Sequence, residues 1–305
     1  MYKRLVLMLI PLLFIASLSF SGVTFAAEKP LYIGIIGPQG LPHWSPGGMW
    51  DAAQLARDEI NAAGGITIGG DTYKINLLSE NEYSYPTIDQ AAAIGAITNL
   101  IGSGAKLIIG GFRTEVTAPM LTVVRSAKVP FFIDGAATTW LVNLTTPEQY
   151  ASDKYIFRAM PTNDSVLLPV IVNYLRYYLL PEKLNKMYGQ DLDNNPATPN
   201  QTRIAVITEQ LSWADSMHYV FTTLYGLPML GPGIPNPYYL GPYANVSYAG
   251  RIDPYTVTDT RPWLDAAEAA KCRLMIIIFS APVGETLIKQ WAQGEYNMLP
   301  VLSLI

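Results

Sequence analysis

Four short apolar runs, Leu31 to Ile36, Tyr73 to Leu78, Leu107 to Ile109 and Val129 to Ile133, divide the first half of this sequence, and a segment of helical period separates each from the next. Met49 to Ala63 is such a segment: Ala52, Ala53, Leu55, Ala56 and Ile60 share one face, Asp51, Arg57, Asp58 and Glu59 the other, and Gly64-Gly65 ends it. Two strands joined through a helix run parallel, because the crossover returns the chain to the same end of the sheet. Strands that are apolar throughout need cover on both faces. The pattern therefore predicts an α/β fold with a doubly wound parallel sheet. It restarts after a connector at Tyr155 to Pro161, with strands at Arg203 to Thr208, Val246 to Arg251, Leu274 to Phe279 and Pro300 to Ile305. Helices are expected at Val166 to Leu179, Trp213 to Tyr225, Thr258 to Lys271 and Val283 to Gln293, while Gly226 to Tyr243 takes no assignment. Two alternations imply two similar lobes, residues 27–158 and 159–305, with a central cleft.

At 305 residues the chain has room for two cores. Half of it is hydrophobic and 14% is charged, which excludes disorder, and a net charge of -4 offers no basic face to nucleic acid. Residues 1–26 read as a secretory signal: Lys3 and Arg4, an apolar run from Leu5 to Phe20, then Thr24-Phe25-Ala26 as the cleavage site. An exported protein, periplasmic or extracellular, is expected. Cys272 is the single cysteine, so the chain makes no internal disulfide. Asn143, Asn163, Asn200 and Asn245 head N-x-S/T triplets that could carry glycan.

The stretch from Lys106 to Thr139 points to chemistry. Leu107 to Ile109 breaks on Gly110-Gly111 and passes through Phe112 and Arg113 into a helix, with Thr114 placed to cap it and Pro119 in its first turn. A helix start gathers unpaired N–H groups and partial positive charge, and Arg113 adds a full charge beside it. The next strand ends on Asp134-Gly135-Ala136-Ala137-Thr138-Thr139, small residues and hydroxyls that let a ligand touch backbone. In an open α/β sheet, small molecules bind where adjacent strands end on one edge. Arg113, Thr114, Ala136, Thr138 and Thr139 are therefore candidate ligand contacts, although a plain helix cap and a surface cation would use the same residues. Trp44, with His43, lies on the loop after the first strand and could close over the cleft; Tyr83 and Glu82 follow the second strand.

The apolar Leu31–Gly37, the run Asp58-Glu59-Ile60-Asn61-Ala62-Ala63-Gly64-Gly65-Ile66, Ile109-Gly110-Gly111 before a threonine-rich helix, Val129-Pro130 and Phe157-Arg158 together resemble the branched-chain amino-acid-binding family of ABC-transporter substrate-binding proteins. That resemblance implies a type I periplasmic-binding fold whose cleft closes on its ligand, with an ABC permease in the membrane as partner. It implies that a hydroxyl after the third strand, here Thr114, meets the ligand carboxylate, and that the loop Ala136 to Thr139 adds backbone and hydroxyl groups. In the second lobe it maps an aromatic wall onto Trp213 and a further contact onto Ser280. It also implies a further C-terminal stretch that completes the first lobe, so the chain is expected to be truncated. Arg113 departs from the family pattern; an extra cation there would suit a more anionic ligand or pair with Glu115 or Glu82.

Enzyme readings find little. His43 and His218 lack metal-ligand spacing, and there is no Gly-x-Ser-x-Gly elbow, phosphate loop or His-Glu-x-x-His. Asp191-x-Asp193-x-Asn195 starts like a calcium loop, but Pro196 stands where the turn glycine belongs and Thr202 where the bidentate glutamate belongs. No cofactor is implied. The expected function is capture of a small polar ligand, an amino acid first, by an exported receptor serving an ABC importer. A ligand-sensing domain or an amide- or urea-binding relative is the alternative, and a secreted hydrolase lacks a nucleophile and base.

Overall fold

A computed structural model describes residues 28–41, 44, 48–142, 144–160, 163–184, 201–241, 244–280 and 282–304. The expected signal segment, His43, Asn143, Asn200 and the stretch holding Asp191, Asp193 and Asn195 lie outside the described residues. No described helix is long and apolar enough to cross a membrane. The described residues form a smaller compact unit, 28–31 with 55–76, and a larger one, 32–54 with 77–304.

In the smaller unit, β2 (Ile66–Ile68) pairs antiparallel with the start of β3 (Asp71–Asn81) through the turn Gly69-Gly70. The sequence pattern missed this hairpin, although two glycines with positive φ between alternating residues are its usual signal. Asn61, near the end of α1 (Met49–Ala62), explains part of the Asp58–Ile66 run. Its side chain accepts from the Ile75 N–H at 2.8 Å and donates to the Ile75 carbonyl at 2.9 Å, so it fastens helix end to strand as a backbone neighbour would.

In the larger unit the first sheet has the order β3-β1-β4-β5-β6, with β1 at Lys29–Gly37, β4 at Leu107–Gly110, β5 at Phe131–Asp134 and β6 at Ile156–Met160. The β1/β4, β4/β5 and β5/β6 pairs are parallel, in registers such as Ile35↔Ile109, Ile109↔Phe132 and Phe132↔Phe157. The stretch expected to be only a connector is thus a fifth strand. The pattern between the second and third strands suggests a helix from Pro86 to Ile101; α2 (Gln90–Gly102) starts four residues later, because Asp89 caps it by accepting from the Ala92 N–H at 2.9 Å. α2 and α3 (Thr114–Ala127) bury Ile97, Leu100, Val116, Met120, Leu121 and Val124 against Ile108, Phe131 and Ile133.

The second sheet has the order β10-β7-β11-β12, parallel throughout: β7 is Thr202–Glu209, β10 Ala244–Ile252, β11 Leu274–Phe279 and β12 Leu299–Leu304. Ile204 to Ile207 and all of β11 are buried, as central strands covered on both faces require. α5 (Asp164–Tyr174) follows the short α4 (Pro147–Asp153) and runs on as wider π-type turns to Leu184. The helix expected from Trp213 is broken instead into a tight turn at Ser212–Ala214, a short α6 (Asp215–Tyr219) and a π turn at Val220–Leu224. α7 (Arg261–Ala269) and α8 (Pro282–Gln293) complete the cover, and a small hairpin, β8 (Met229–Gly231) with β9 (Ile234–Pro235), occupies part of the segment left unassigned. The architecture is two doubly wound parallel-sheet lobes with a cleft between their strand ends.

Candidate functional site

The site starts at the end of β4, where Gly110 lies beside Ile36 of β1 in the parallel ladder. Gly110 has φ +143, and a Cβ there would lie 1.7 Å from the Ile36 carbonyl oxygen, so only glycine permits this approach. The Gly111 N–H donates to that carbonyl at 3.2 Å, and the chain turns through Phe112 and Arg113 into α3. Arg113, not Thr114, occupies the residue before the helix, without a side-chain cap. Thr114 is the first helical residue, and its hydroxyl shares a 2.6 Å hydrogen bond with the Thr138 hydroxyl. Pro119 lies inside the helix rather than in its first turn. It has no N–H for the Glu115 carbonyl, which accepts from Gln90 Nε2 at 3.0 Å instead.

The loop after β5 packs equally close. A Cβ on Gly135 would lie 2.4 Å from Phe112 Cα. The Ala136 N–H donates to the Gly111 carbonyl at 2.8 Å, while Arg158 donates to the carbonyls of Ala136 and, at 2.8 Å, of Thr138. The Thr139 N–H and hydroxyl both donate to Asp164 Oδ1, and Ser216 donates to Asp164 Oδ2 at 2.5 Å.

Between the strand ends Arg113 is 2% exposed. Its Nη1 donates to Ser280 Oγ at 2.9 Å and stands 3.6 Å from Glu209 Oε1. Its guanidinium also lies over the rings of Phe112 at 5.5 Å and Tyr255 at 5.8 Å. Among the described residues, Nε and Nη2 have no hydrogen-bond partner. These two nitrogens form one edge of the guanidinium, the edge that grips a carboxylate with two parallel bonds.

Two buried acids feel this cation's charge. Glu209, the last residue of β7, accepts from the Ser280 N–H at 3.1 Å, the Ser280 hydroxyl at 2.5 Å and Trp213 Nε1. Glu82, just past β3, accepts from the Phe112 N–H at 2.6 Å and the Ser84 hydroxyl. Burial raises both carboxyls above their ordinary range, Glu82 to about 7, against the lowering effect of their hydrogen bonds and of Arg113. Further bonds join the two edges: Ser212 donates to Glu115 from its N–H at 2.6 Å and its hydroxyl at 2.5 Å, and the Tyr255 hydroxyl donates to the Ser84 carbonyl at 3.0 Å. The cavity left is about 10 Å³, lined by Phe112, Arg113, Gly135, Ala137, Trp213 and Ser280, and holds roughly one water. The cleft is therefore closed. Among the described residues no cluster of acids, histidine or cysteine could hold a metal.

The periplasmic binding protein family matches residues 30–218, more than half of the sequence and nearly the whole of the first sheet with the start of the second. The chain belongs to this family. Solved structures with a similar fold include LivJ, a branched-chain amino-acid transporter substrate-binding protein from Streptococcus pneumoniae in complex with isoleucine, at 20% identity and TM-score 0.64 over 89% of this chain and 63% of that one. Two solute-binding proteins of ABC transporters from R. palustris are also similar. One, in complex with 4-hydroxybenzoate, has 16% identity and TM-score 0.60, covering 87% and 58% of the two chains. The other, in complex with benzoate, has 14% identity and TM-score 0.61, covering 89% and 61%. At these identities the likeness is one of fold, and this chain spans about three-fifths the length of those structures. No curated protein matches.

Within this periplasmic binding protein, Arg113, Trp213 and Ser280 line the cavity. Thr114 and Thr138 are buried beside it with their hydroxyls joined. Ala136 is buried, and both its backbone polar groups already serve Gly111 and Arg158. Thr139 faces Asp164. Trp44 stacks on Trp50 at 5.8 Å and covers Gly37, and Tyr83 is 40% exposed; neither is among the cavity-lining residues. Among the described residues Arg113 pairs with Glu209 across the cleft, not with Glu115 or Glu82. Sequence reasoning missed Glu209 and Tyr255 and gave Glu82 little weight. An acid closing an otherwise apolar strand, as in Ile204-Ala205-Val206-Ile207-Thr208-Glu209, was the available signal.

Proposed function

We propose that this chain is the ligand-binding part of an exported receptor that captures a small carboxylate for an ABC importer, closing two lobes around it. The observation that carries the reading is the buried Arg113 edge, with Nε and Nη2 unpartnered beside Phe112, Trp213 and Tyr255. Buried donors of this kind cost free energy until an acceptor arrives, so the site favours an anion with an apolar or aromatic body. The ligands named for structures of the same fold, isoleucine, benzoate and 4-hydroxybenzoate, all carry a carboxylate and agree with this choice. An amino acid is the narrower form of the reading, drawn from the sequence resemblance. Export follows from residues 1–26, and the permease partner from the transporter setting of the similar structures.

Thermal melts of the purified chain against amino acids, aromatic acids and their amides test it. A true ligand at 100 times its Kd stabilises by about 2.7 kcal/mol, whereas its amide, unable to offer two anionic oxygens to Arg113, shifts the melt far less. Equal shifts from acids and amides would refute the carboxylate reading.

A further inference from the structure

We propose that a carboxylate ligand enters this cleft together with one proton, which Glu82 takes from bulk solvent. This rests on the carboxylate reading above and adds what the site must do with the charge. One guanidinium, Arg113, acts on two buried carboxyls: Glu209 from the end of β7, 3.6 Å from its Nη1, and Glu82 from the end of β3, which feels its charge without an ion pair to it. A ligand carboxylate on the free Arg113 edge would be the third acid group around a single cation, and a buried anion without a counter-charge is too costly to persist. The other charged groups of the surrounding elements are engaged elsewhere. Glu115 on α3 is held by Ser212 through Oε1 alone, its buried Oε2 having no hydrogen-bond partner among the described residues, and Asp164 on α5 is held by Thr139 and Ser216. Arg158 on β6 serves two carbonyls, and Arg251 on β10 donates to the Glu209 and Leu211 carbonyls and pairs with Asp215 at 2.6 Å. Tyr255 gives its hydroxyl to the Ser84 carbonyl, and His218 on α6 bonds the Thr208 hydroxyl at 3.0 Å. None can supply the missing positive charge, so a proton must.

Hydrogen-bond chemistry selects which acid accepts it. Glu209 is the acid that the site holds ionised: Arg113 Nη1 stands 3.6 Å from it, and the Ser280 N–H, the Ser280 hydroxyl and Trp213 Nε1–H all donate to it. Glu82 instead meets the Ser84 hydroxyl, which can rotate from donor to acceptor while the Phe112 N–H keeps the other oxygen. Burial has already lifted Glu82 to about 7, so one further anion nearby keeps it protonated at neutral pH.

Titration calorimetry with benzoate and isovalerate, run in buffers of different ionisation enthalpy at about pH 8, measures protons taken up per ligand bound. The expected result is close to one proton, with affinity falling about tenfold per pH unit above pH 7. Glu82→Gln, which mimics the protonated acid, should bind without proton uptake and keep at pH 8 the affinity the parent shows near pH 6. Binding whose heat does not change with buffer would overturn the proposal while leaving the carboxylate receptor standing. Uptake persisting in Glu82→Gln would likewise overturn it, by assigning the proton to another group. Binding of L-isoleucine with both simple acids refused would do so too, because that ligand brings its own cation. If no carboxylate binds, the receptor reading and this inference fall together. Should Glu82→Gln not fold, the parent protein in the buffer series decides alone.

Discussion

Glu82 in the ligand-free protein offers a measurement of how dry the closed cleft is. Burial pushes its carboxyl up from the ordinary 4.5 to about 7, outweighing the help of Ser84, Phe112 and Arg113. In the unfolded chain the same group ionises near 4.5, so between these values the folded state binds more protons and stability falls as pH rises. The penalty is absent below about pH 4.5 and complete above about pH 7, where the rise at ~1.4 kcal/mol per pH unit amounts to about 3.5 kcal/mol. Glu82→Gln keeps the shape and both hydrogen bonds but cannot ionise. Urea unfolding of parent and variant across pH 4.5 to 8 isolates the term, because every other titrating group cancels in the difference. The variant should match the parent at the acid end and exceed it by about 3.5 kcal/mol at the alkaline end. A stability difference that stays flat with pH would mean that Glu82 ionises freely and that water reaches the strand ends.

Removing one partner of the Arg113–Glu209 pair should be worse than removing both. Arg113→Met leaves a buried carboxyl without its cation and should cost about 3 kcal/mol or more, and adding Glu209→Gln should recover most of it; additive losses in a denaturation cycle would refute the coupling. Gly110→Ala sets a methyl against the Ile36 carbonyl at positive φ and should lose at least about 2 kcal/mol by thermal melting. Gln90→Ala frees the Glu115 carbonyl that Pro119 cannot serve and should lower stability by about 1 kcal/mol in the same assay. Burial pushes the Cys272 thiol up to about 12, so a thiol reagent at neutral pH should label it only after denaturation.

Strand periodicity carried the fold because the central strands are apolar on both faces, a pattern few alternatives satisfy. β6 escaped because its Ile-Phe-Arg-Ala-Met run alternates only briefly, and its pairing with β5 is a long-range fact that no local pattern records. The broken helix after Ser212 escaped because π and tight turns keep nearly the same apolar spacing as an α-helix. At the site, Arg113 was legible as a cation at a helix start. Its partner was not: Glu209 lies nearly a hundred positions away, and only the folded chain brings the two together. Thr114 was read as a cap because threonine before an apolar helical stretch usually is one; in the fold its hydroxyl found Thr138 instead.

The two ends of the cross-cleft ion pair are anchored unequally. Every other donor to the Glu209 carboxylate, the Ser280 amide and hydroxyl and the Trp213 indole, belongs to its own sheet, whereas Arg113 has only Ser280 and Glu209 opposite it. Parting the lobes would leave the glutamate still solvated by neighbours and the arginine without its hydrogen bond and its ion pair, resting only on the Phe112 ring. The open mouth would then present a guanidinium without an ion-pair partner on one lip and a quenched acid on the other, an asymmetry that draws anions to one side of the entrance before the lobes close.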